Sequence, residues 1–181
     1  MKKFELTNEF IANRFGTKLF RIRALVEFGD VEAGELGGYV EKESNLGHDD
    51  NAWVYGNARV YGDALVYDNA RVYGNARVCG DAQVSGDARV CGDARVCGNG
   101  DYAYAHGFGS VNRTTTFFRL KDGGVGVRCG CFYGTLAQFR DKIRETHGET
   151  KKAQEYLMLA DLMELRFEED ENEVGNRKYV E

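Results

Sequence analysis

Valine recurs at every sixth position through the middle of the chain, and an alanine lies two residues before each of these valines. Apolar residues six apart fall on different sides of an α-helix, whereas alternate residues of a β-strand share one face. Alanine and valine therefore point to one side of a short strand, and their neighbours point to the other. Equal spacing over eight repeats predicts a solenoid whose strands turn a corner every six residues. The valines are Val54, Val60, Val66, Val72, Val78, Val84, Val90 and Val96.

Weaker forms of the pattern flank the repeats. Apolar residues alternate over 20–28, which predicts a half-buried strand, and Val40 and Leu46 are already six apart, which predicts a degenerate first coil. Bulkier residues take the repeat positions after Val96, so the coil is expected to widen or end there. The predicted division is 1–50 for the N-terminal strand and first coil, 51–110 for the repeats and 111–181 for a C-terminal cap.

The predicted cap contains a hairpin and two helices. Two β-rich runs, 113–120 and 125–132, flank the turn sequence Lys-Asp-Gly-Gly, which is typical of a hairpin. Thr135 is placed to cap a first helix. Thr150 is placed to cap a second helix that runs through Phe167. The wide apolar stripe of this second helix suits packing on the cap or between subunits.

The repeats also carry a family resemblance. Phrases such as GNARVY, GNARVC, GDAQVS and GDARVC, within residues 51–99, resemble the hexapeptide-repeat family. The resemblance implies a mainly β fold, a left-handed parallel β-helix of triangular cross-section with a small α+β cap, in which about 18 residues make one coil. The stretch from His106 to Phe139 resembles a unit that accompanies such repeats in proteins of phages and gut bacteria. That second resemblance implies a phage or mobile-element origin.

Composition and charge narrow the function classes. The chain has 43% hydrophobic and 12% aromatic residues, which is typical of a folded core. The net charge is −5, and the repeats carry five arginines against five aspartates, so binding to duplex nucleic acid is disfavoured. No apolar run approaches the ~20 residues of a membrane span, and no secretory signal is evident, so a cytoplasmic location is expected. Five cysteines in that setting favour free thiols. Cys79 and Cys97 are expected to be vertical neighbours, reduced by default but able to form a disulfide in oxidising conditions.

The outward residues of the repeats carry the candidate chemistry. With about 18 residues per coil, the residue before each valine stacks on its equivalents in the next coils. Like charges stacked about 4.8 Å apart repel one another unless an anion or a nearby aspartate compensates them. Two of the three predicted ladders are rich in arginine. They consist of Arg59, Arg77 and Arg95 on one face, and of Trp53, Arg71 and Arg89 on the next, with Tyr55 and Tyr73 in a ladder beside them.

These ladders suit a phosphorylated ligand with a stackable base, because guanidinium groups bind phosphate bidentately and aromatic rings stack on bases. We therefore expect a non-catalytic, phage-encoded binding protein that holds a nucleotide-like anion in grooves between the subunits of a trimer. Sequestering an immune signalling nucleotide is one concrete version. Alternatively, arginine and tyrosine merely fill exposed strand positions that corner aspartates neutralise. The predicted ligand-binding residues are Arg59, Arg71, Arg77, Arg89, Arg95, Tyr55, Tyr73, Trp53, His106 and Arg113.

His106 is also the main enzymatic candidate. Many hexapeptide-repeat proteins are trimeric acyltransferases, so the resemblance implies an alternative in which His106 is the general base for an acyl-CoA substrate. The long loop that interrupts the coil of those enzymes is missing from this sequence. A third reading is a protein-binding inhibitor or a structural module. No cofactor is expected, and Cys129 and Cys131 lack the further ligands of a zinc site, so no metal is expected either.

Overall fold

The computed structural model describes residues 1–109 and 111–168. The N-terminal part contains β1 (Phe4–Ala12), β2 (Lys18–Ala24) and β3 (Leu36–Val40). The repeats form β4 (Trp53–Val54), β5 (Arg59–Val60), β6 (Leu65–Val66), β7 (Arg71–Val72), β8 (Arg77–Val78), β9 (Gln83–Val84), β10 (Arg89–Val90) and β11 (Arg95–Val96). The C-terminal part contains β12 (Tyr102–Phe108), β13 (Arg113–Arg119), β14 (Val125–Cys129), β15 (Phe132–Thr135), α1 (Leu136–His147) and α2 (Lys151–Phe167).

The repeat strands form a β-solenoid of about three turns, which confirms the predicted mainly β architecture. Each strand pairs in parallel with the strand 18 residues later, so every third strand joins the same sheet. Three parallel stacks result: β3, β5, β8 and β11, then β4, β7 and β10, then β6 and β9. The alanines and valines of the repeats fill the interior, and none is more than 1% exposed. The left hand of the coil stays a prediction of the family resemblance.

Glycine at the corners allows successive coils to approach closely. Gly74 has a φ of 72°, in the left-handed region that favours glycine. A Cβ atom built on Gly74 would lie 2.9 Å from the backbone nitrogen of Gly92 in the next coil. A larger residue at this corner would therefore strain the turn and push two coils apart.

The N-terminal hairpin closes the first end of the solenoid. Strands β1, β2 and β3 are antiparallel, and β3 then pairs in parallel with β5, so the hairpin extends one face of the coil. Lys3 is buried beneath it, and its Nζ atom donates hydrogen bonds to the carbonyl oxygens of Asp49, Asp50 and Ala52 at 3.4, 3.3 and 2.9 Å. These bonds satisfy backbone acceptors that the first coil would otherwise leave unpaired.

The C-terminal cap closes the other end. Strands β12, β13, β14 and β15 form an antiparallel sheet, and the predicted hairpin of β13 and β14 is confirmed. The residue 110 limit predicted for the coil does not match the strand pairing, because β12 pairs with β13 of the cap. At the repeat positions of this segment, Tyr102, His106 and Phe108 replace the smaller alanine and valine that fill the interior of the coil.

Both predicted helices are present and begin at the predicted caps. The hydroxyl of Thr135 accepts a hydrogen bond from the backbone of Gln138, and that of Thr150 accepts one from the backbone of Ala153. The helices pack on the cap sheet around Phe139, whose ring contacts neighbouring aromatic rings edge-on. No helix within the two described ranges is long and apolar enough to cross a membrane.

Candidate functional site

The first arginine ladder lies on the face formed by β5, β8 and β11. Arg59 is in register with Arg77, and Arg77 with Arg95, as the 18-residue period predicts. Arg95 donates hydrogen bonds to the carbonyl oxygens of Asn75 and Ala94 at 3.3 and 3.0 Å. Within residues 1–109 and 111–168, no carboxylate forms an ion pair with Arg59 or Arg77. Burial, together with the neighbouring Arg77 cation, lowers the pKa of Arg95.

A shallow cleft follows this ladder, and we call it the ladder cleft. Its volume is about 200 Å³. Lys121, from the turn between β13 and β14, lines the end of the cleft nearest the cap. The backbone N–H of Lys121 donates to the carbonyl oxygen of Asp93. The cleft therefore holds four cationic side chains and one carboxylate. Its lining residues are Asn57, Arg59, Asn75, Arg77, Asp93, Arg95 and Lys121.

The second ladder is also in register, but its first member is not on the surface. Trp53 pairs with Arg71, which pairs with Arg89. Trp53 is completely buried, and the rings of Phe4 and Phe28 lie 6.2 and 5.3 Å from its ring. The predicted outward position of Trp53 is therefore wrong, because the N-terminal segment covers this end of the face.

A larger cleft lies where the second ladder meets the cap, and we call it the cap cleft. Its volume is about 390 Å³. Arg71 and Arg89 enter it from β7 and β10, and Arg113 enters from β13. The Arg71 guanidinium is held by Asp30, with Nη1 and Oδ2 2.8 Å apart. The lining residues are Asn51, Asn69, Arg71, Asp87, Arg89, Arg113, Thr114 and Gly130.

Polar side chains at one corner of the coil border the cap cleft as a chain of hydrogen bonds. Asn51 donates to Asn69 at 3.0 Å, and Asn69 donates to Asp87 at 3.2 Å. On the other side, the Arg113 guanidinium lies directly over Gly130, and a side chain at that position would require Arg113 to move. The cleft thus combines positive charge with amide, hydroxyl and carboxylate groups in fixed positions.

His106 lies at the rim of the cap cleft, on β12. Its Nδ1 atom is 2.8 Å from the hydroxyl oxygen of Thr114 and 3.9 Å from Oδ2 of Asp87. An acid–base relay of the Asp-His-hydroxyl type uses opposite nitrogens of the imidazole, so two neighbours on one nitrogen do not form it. The imidazole is 59% exposed. The geometry places His106 beside the cap cleft, and neither neighbour makes its imidazole a stronger base through the opposite nitrogen.

The two tyrosines of the predicted set do not line either cleft. The Tyr55 hydroxyl donates to Asp30 at 3.0 Å, and burial raises the pKa of Tyr55 to about 12. Tyr73 is half-buried beneath the guanidinium of Arg128, 5.9 Å from its ring centre, and burial raises the pKa of Tyr73 as well. The prediction that Tyr55 and Tyr73 stack on a ligand is not supported, because both rings pack against the core of the solenoid.

The structure adds site residues that sequence reasoning missed. Asn51, Asn69 and Asp87 are spaced 18 apart, so the same period that predicted the arginine ladders could have found them. Asp30 and Lys121 carry no such signal, because their positions depend on how the N-terminal segment and the cap fold onto the coil.

Two of the five cysteines are bonded to each other rather than free. Cys79 and Cys97 form a disulfide across two coils, with Cα atoms 4.3 Å apart, as vertical neighbours can. Cys91, Cys129 and Cys131 are free. In the described part of the chain, no group of three or more His, Cys, Asp or Glu side chains is arranged to hold a metal ion.

Comparison with known protein families finds one match, which covers the repeats. The family described as YdcK β-solenoid repeat matches residues 52–68, 64–80, 70–86 and 82–98. Residues 52–98 are therefore similar to YdcK-type β-solenoid repeats. The matched residues include every arginine of both ladders, whereas Arg113 and the rest of the cap lie outside them. No curated protein matches the chain.

Proposed function

We propose that the chain is a non-catalytic binding protein for a small phosphorylated ligand, and that the ligand occupies the cap cleft. One observation supports this best: Arg71, Arg89 and Arg113 come from different strands and line a single cleft. Guanidinium groups bind phosphate oxygens through paired, charge-assisted hydrogen bonds. The volume of about 390 Å³ falls within the range of small-molecule sites, whereas the ladder cleft, at about 200 Å³, falls below it.

The other lining residues narrow the ligand class. Asn51, Asn69 and Thr114 offer amide and hydroxyl groups, and Asp87 accepts hydrogen bonds. Such groups suit the hydroxyls of a sugar, so a sugar phosphate fits the cleft better than a bare anion. A nucleotide remains in this class through its ribose and phosphate, although none of the described residues that line the cleft offers an aromatic ring to stack on its base.

The cap cleft is formed within one chain. Ligand binding there does not require the groove between subunits that the sequence predicted, and the trimer itself remains a proposal. Any oligomer would need to leave the face formed by β7 and β10 open, because Arg71 and Arg89 enter the cleft from that face.

Calorimetry and thermal shift with defined probes test this function. Ribose 5-phosphate, adenosine 5′-monophosphate and inorganic phosphate are the probes, and we expect the two sugar phosphates to bind more tightly than phosphate. Arg89→Gln or Arg113→Gln should weaken binding by about tenfold or more, since a hydrogen bond to a charged group contributes about 1.5–3 kcal/mol. Binding should also weaken as salt rises.

The matched control is Arg144→Gln, because Arg144 is an exposed arginine on α1 that does not line the cleft. It should bind the probes like the unchanged protein. The proposal is contradicted if none of the three probes raises the melting temperature, or if all three variants bind equally well.

An acyltransferase is the second candidate, favoured by the position of His106 at the rim of a polar cleft. Turnover of acetyl-CoA with a hydroxyl or amine acceptor, lost in His106→Ala, would support it over pure binding. Thr114→Val then tests whether the hydrogen bond to Nδ1 of His106 matters for turnover, because this variant removes the hydrogen bond and leaves the imidazole in place.

A further inference from the structure

Helix α2 carries apolar side chains on two opposite sides. One side packs into the cap, where its residues are at most 7% exposed. The opposite side carries Met158, Leu162 and Leu165, which are 70%, 54% and 67% exposed. A helix that serves only its own core has polar residues opposite its buried stripe. The buried side consists of Ala153, Tyr156, Ala160, Met163 and Phe167.

The exposed side has the spacing of a coiled coil. Met158, Leu162 and Leu165 follow one another by four and three residues, which are the d, a and d positions of a heptad. In that register the buried residues Ala160 and Met163 take the f and b positions, away from the seam. The seam is therefore free to pack on another helix while the core contacts of α2 stay unchanged.

We propose that this seam of Met158, Leu162 and Leu165 packs, in parallel, on the same seam of another copy of the chain. One charged pair favours this direction. Asp161 takes a g position and Arg166 the e position five residues later, and these two positions face each other across a parallel pair. An antiparallel pair would instead place Asp161 near Asp161 of the other copy, where like charges repel.

Asp161 and Arg166 are both available, in the single chain, to form an ion pair with another copy. Arg166 has no ion pair within the described residues. One carboxylate oxygen of Asp161 accepts a hydrogen bond from Arg140 at 2.8 Å, which fixes the side chain and leaves its other oxygen for a second cation. Arg140 also binds Glu164, so α1 holds the acidic flank of the seam in place.

The chain's own C-terminal segment does not fit the seam. Residues 169–181 begin with an acidic run and contain apolar residues only at Val174, Tyr179 and Val180, without the spacing of three and four. A second copy provides both the apolar spacing and the opposite charge.

Parallel helices around one axis give a closed, symmetric assembly of two or three copies. The seam has only three apolar side chains, so it is smaller than the ~800 Å² per partner of a standard interface. We expect association in the micromolar range. None of the seam residues lines the cap cleft, so association and ligand binding can be tested separately.

Sedimentation velocity at roughly 5 to 500 µM protein tests whether the seam associates. This concentration range brackets the affinity expected for an interface of this size. The unchanged chain should move from its 20.3 kDa monomer towards two or three times that mass as concentration rises. Leu162→Gln combined with Leu165→Gln should stay monomeric, with an unchanged circular dichroism spectrum because both side chains are already exposed. Arg144→Gln, on α1 and away from the seam, is the control and should associate normally.

Direction is tested by reversing charges. Arg166→Asp should weaken association by about fivefold, the effect expected for one exposed ion pair, because it sets a carboxylate against Asp161 of the other copy. A chain that remains at 20.3 kDa throughout overturns the proposal, as does an oligomer that persists in the Leu162/Leu165 variant. Association that is insensitive to Arg166→Asp overturns the parallel arrangement.

Discussion

Replacing Arg77 by glutamine should stabilise the solenoid at low salt. Arg77 lies in register between Arg59 and Arg95, with no carboxylate of the described residues paired to it. Like charges directly opposite each other on neighbouring strands are destabilising, and we take the cost per pair as similar to the gain from a favourable pair, roughly 0.2–1 kcal/mol. Arg77 takes part in two such pairs, whereas Arg59 takes part in one, because Tyr39 lies on its other side. Arg77→Gln should therefore stabilise by about 1 kcal/mol, and Arg59→Gln by about half as much.

Urea denaturation in phosphate-free buffer measures both variants at 0.01 M and 1 M sodium chloride. Screening is weak at the lower concentration, where the Debye length is about 30 Å, and strong at the higher one, where it is about 3 Å. Both gains in free energy of unfolding should shrink at high salt. If either variant is less stable than the unchanged protein at low salt, Arg77 and Arg59 contribute more by packing than they cost by repulsion, and the argument fails.

Three further predictions follow from buried groups. Val78→Asp should unfold the chain or lower its melting temperature sharply, since an unpaired charge in the dry interior costs several kcal/mol; circular dichroism measures this. Burial raises the pKa of Tyr55 and Tyr156 to about 12, so the stability they contribute is present below about pH 10 and is lost as pH rises towards 12. Urea denaturation above about pH 10 should show that Tyr55→Phe and Tyr156→Phe reduce this loss of stability. Cys79→Ser should cost about 3 kcal/mol in oxidised protein and nothing under reducing conditions, when compared by urea denaturation.

The regular part of the fold could be predicted because one period governs it. The six-residue repeat predicted which valines point inward. Three repeats make one coil of 18 residues, and this spacing predicted which residues lie above one another in successive coils. Arg59 with Arg77 and Cys79 with Cys97 both follow from that arithmetic. Sequence could not settle whether the cysteines were bridged, because that depends on chemistry as well as position.

The candidate site was predicted only in part, because it depends on how irregular segments dock. Trp53 occupies an outward ladder position, yet Phe4 and Phe28 cover it from a segment without any repeat. Arg113 lies outside the repeats and still joins Arg89 in the cap cleft, because β13 folds back over the last coil. Docking of this kind is decided by packing between segments distant in sequence, which no local pattern records.

Each end of the solenoid is closed by its own device, Lys3 with the hairpin at one end and the cap sheet at the other, so the coils between them are interchangeable units. Deleting residues 63–80 would remove one complete 18-residue coil and bring Arg95 over Arg59, with both closures intact. Each arginine face would lose a single cation. Gaining or losing whole coils therefore changes the number of arginines on each face one at a time, without any change to the residues that close the fold.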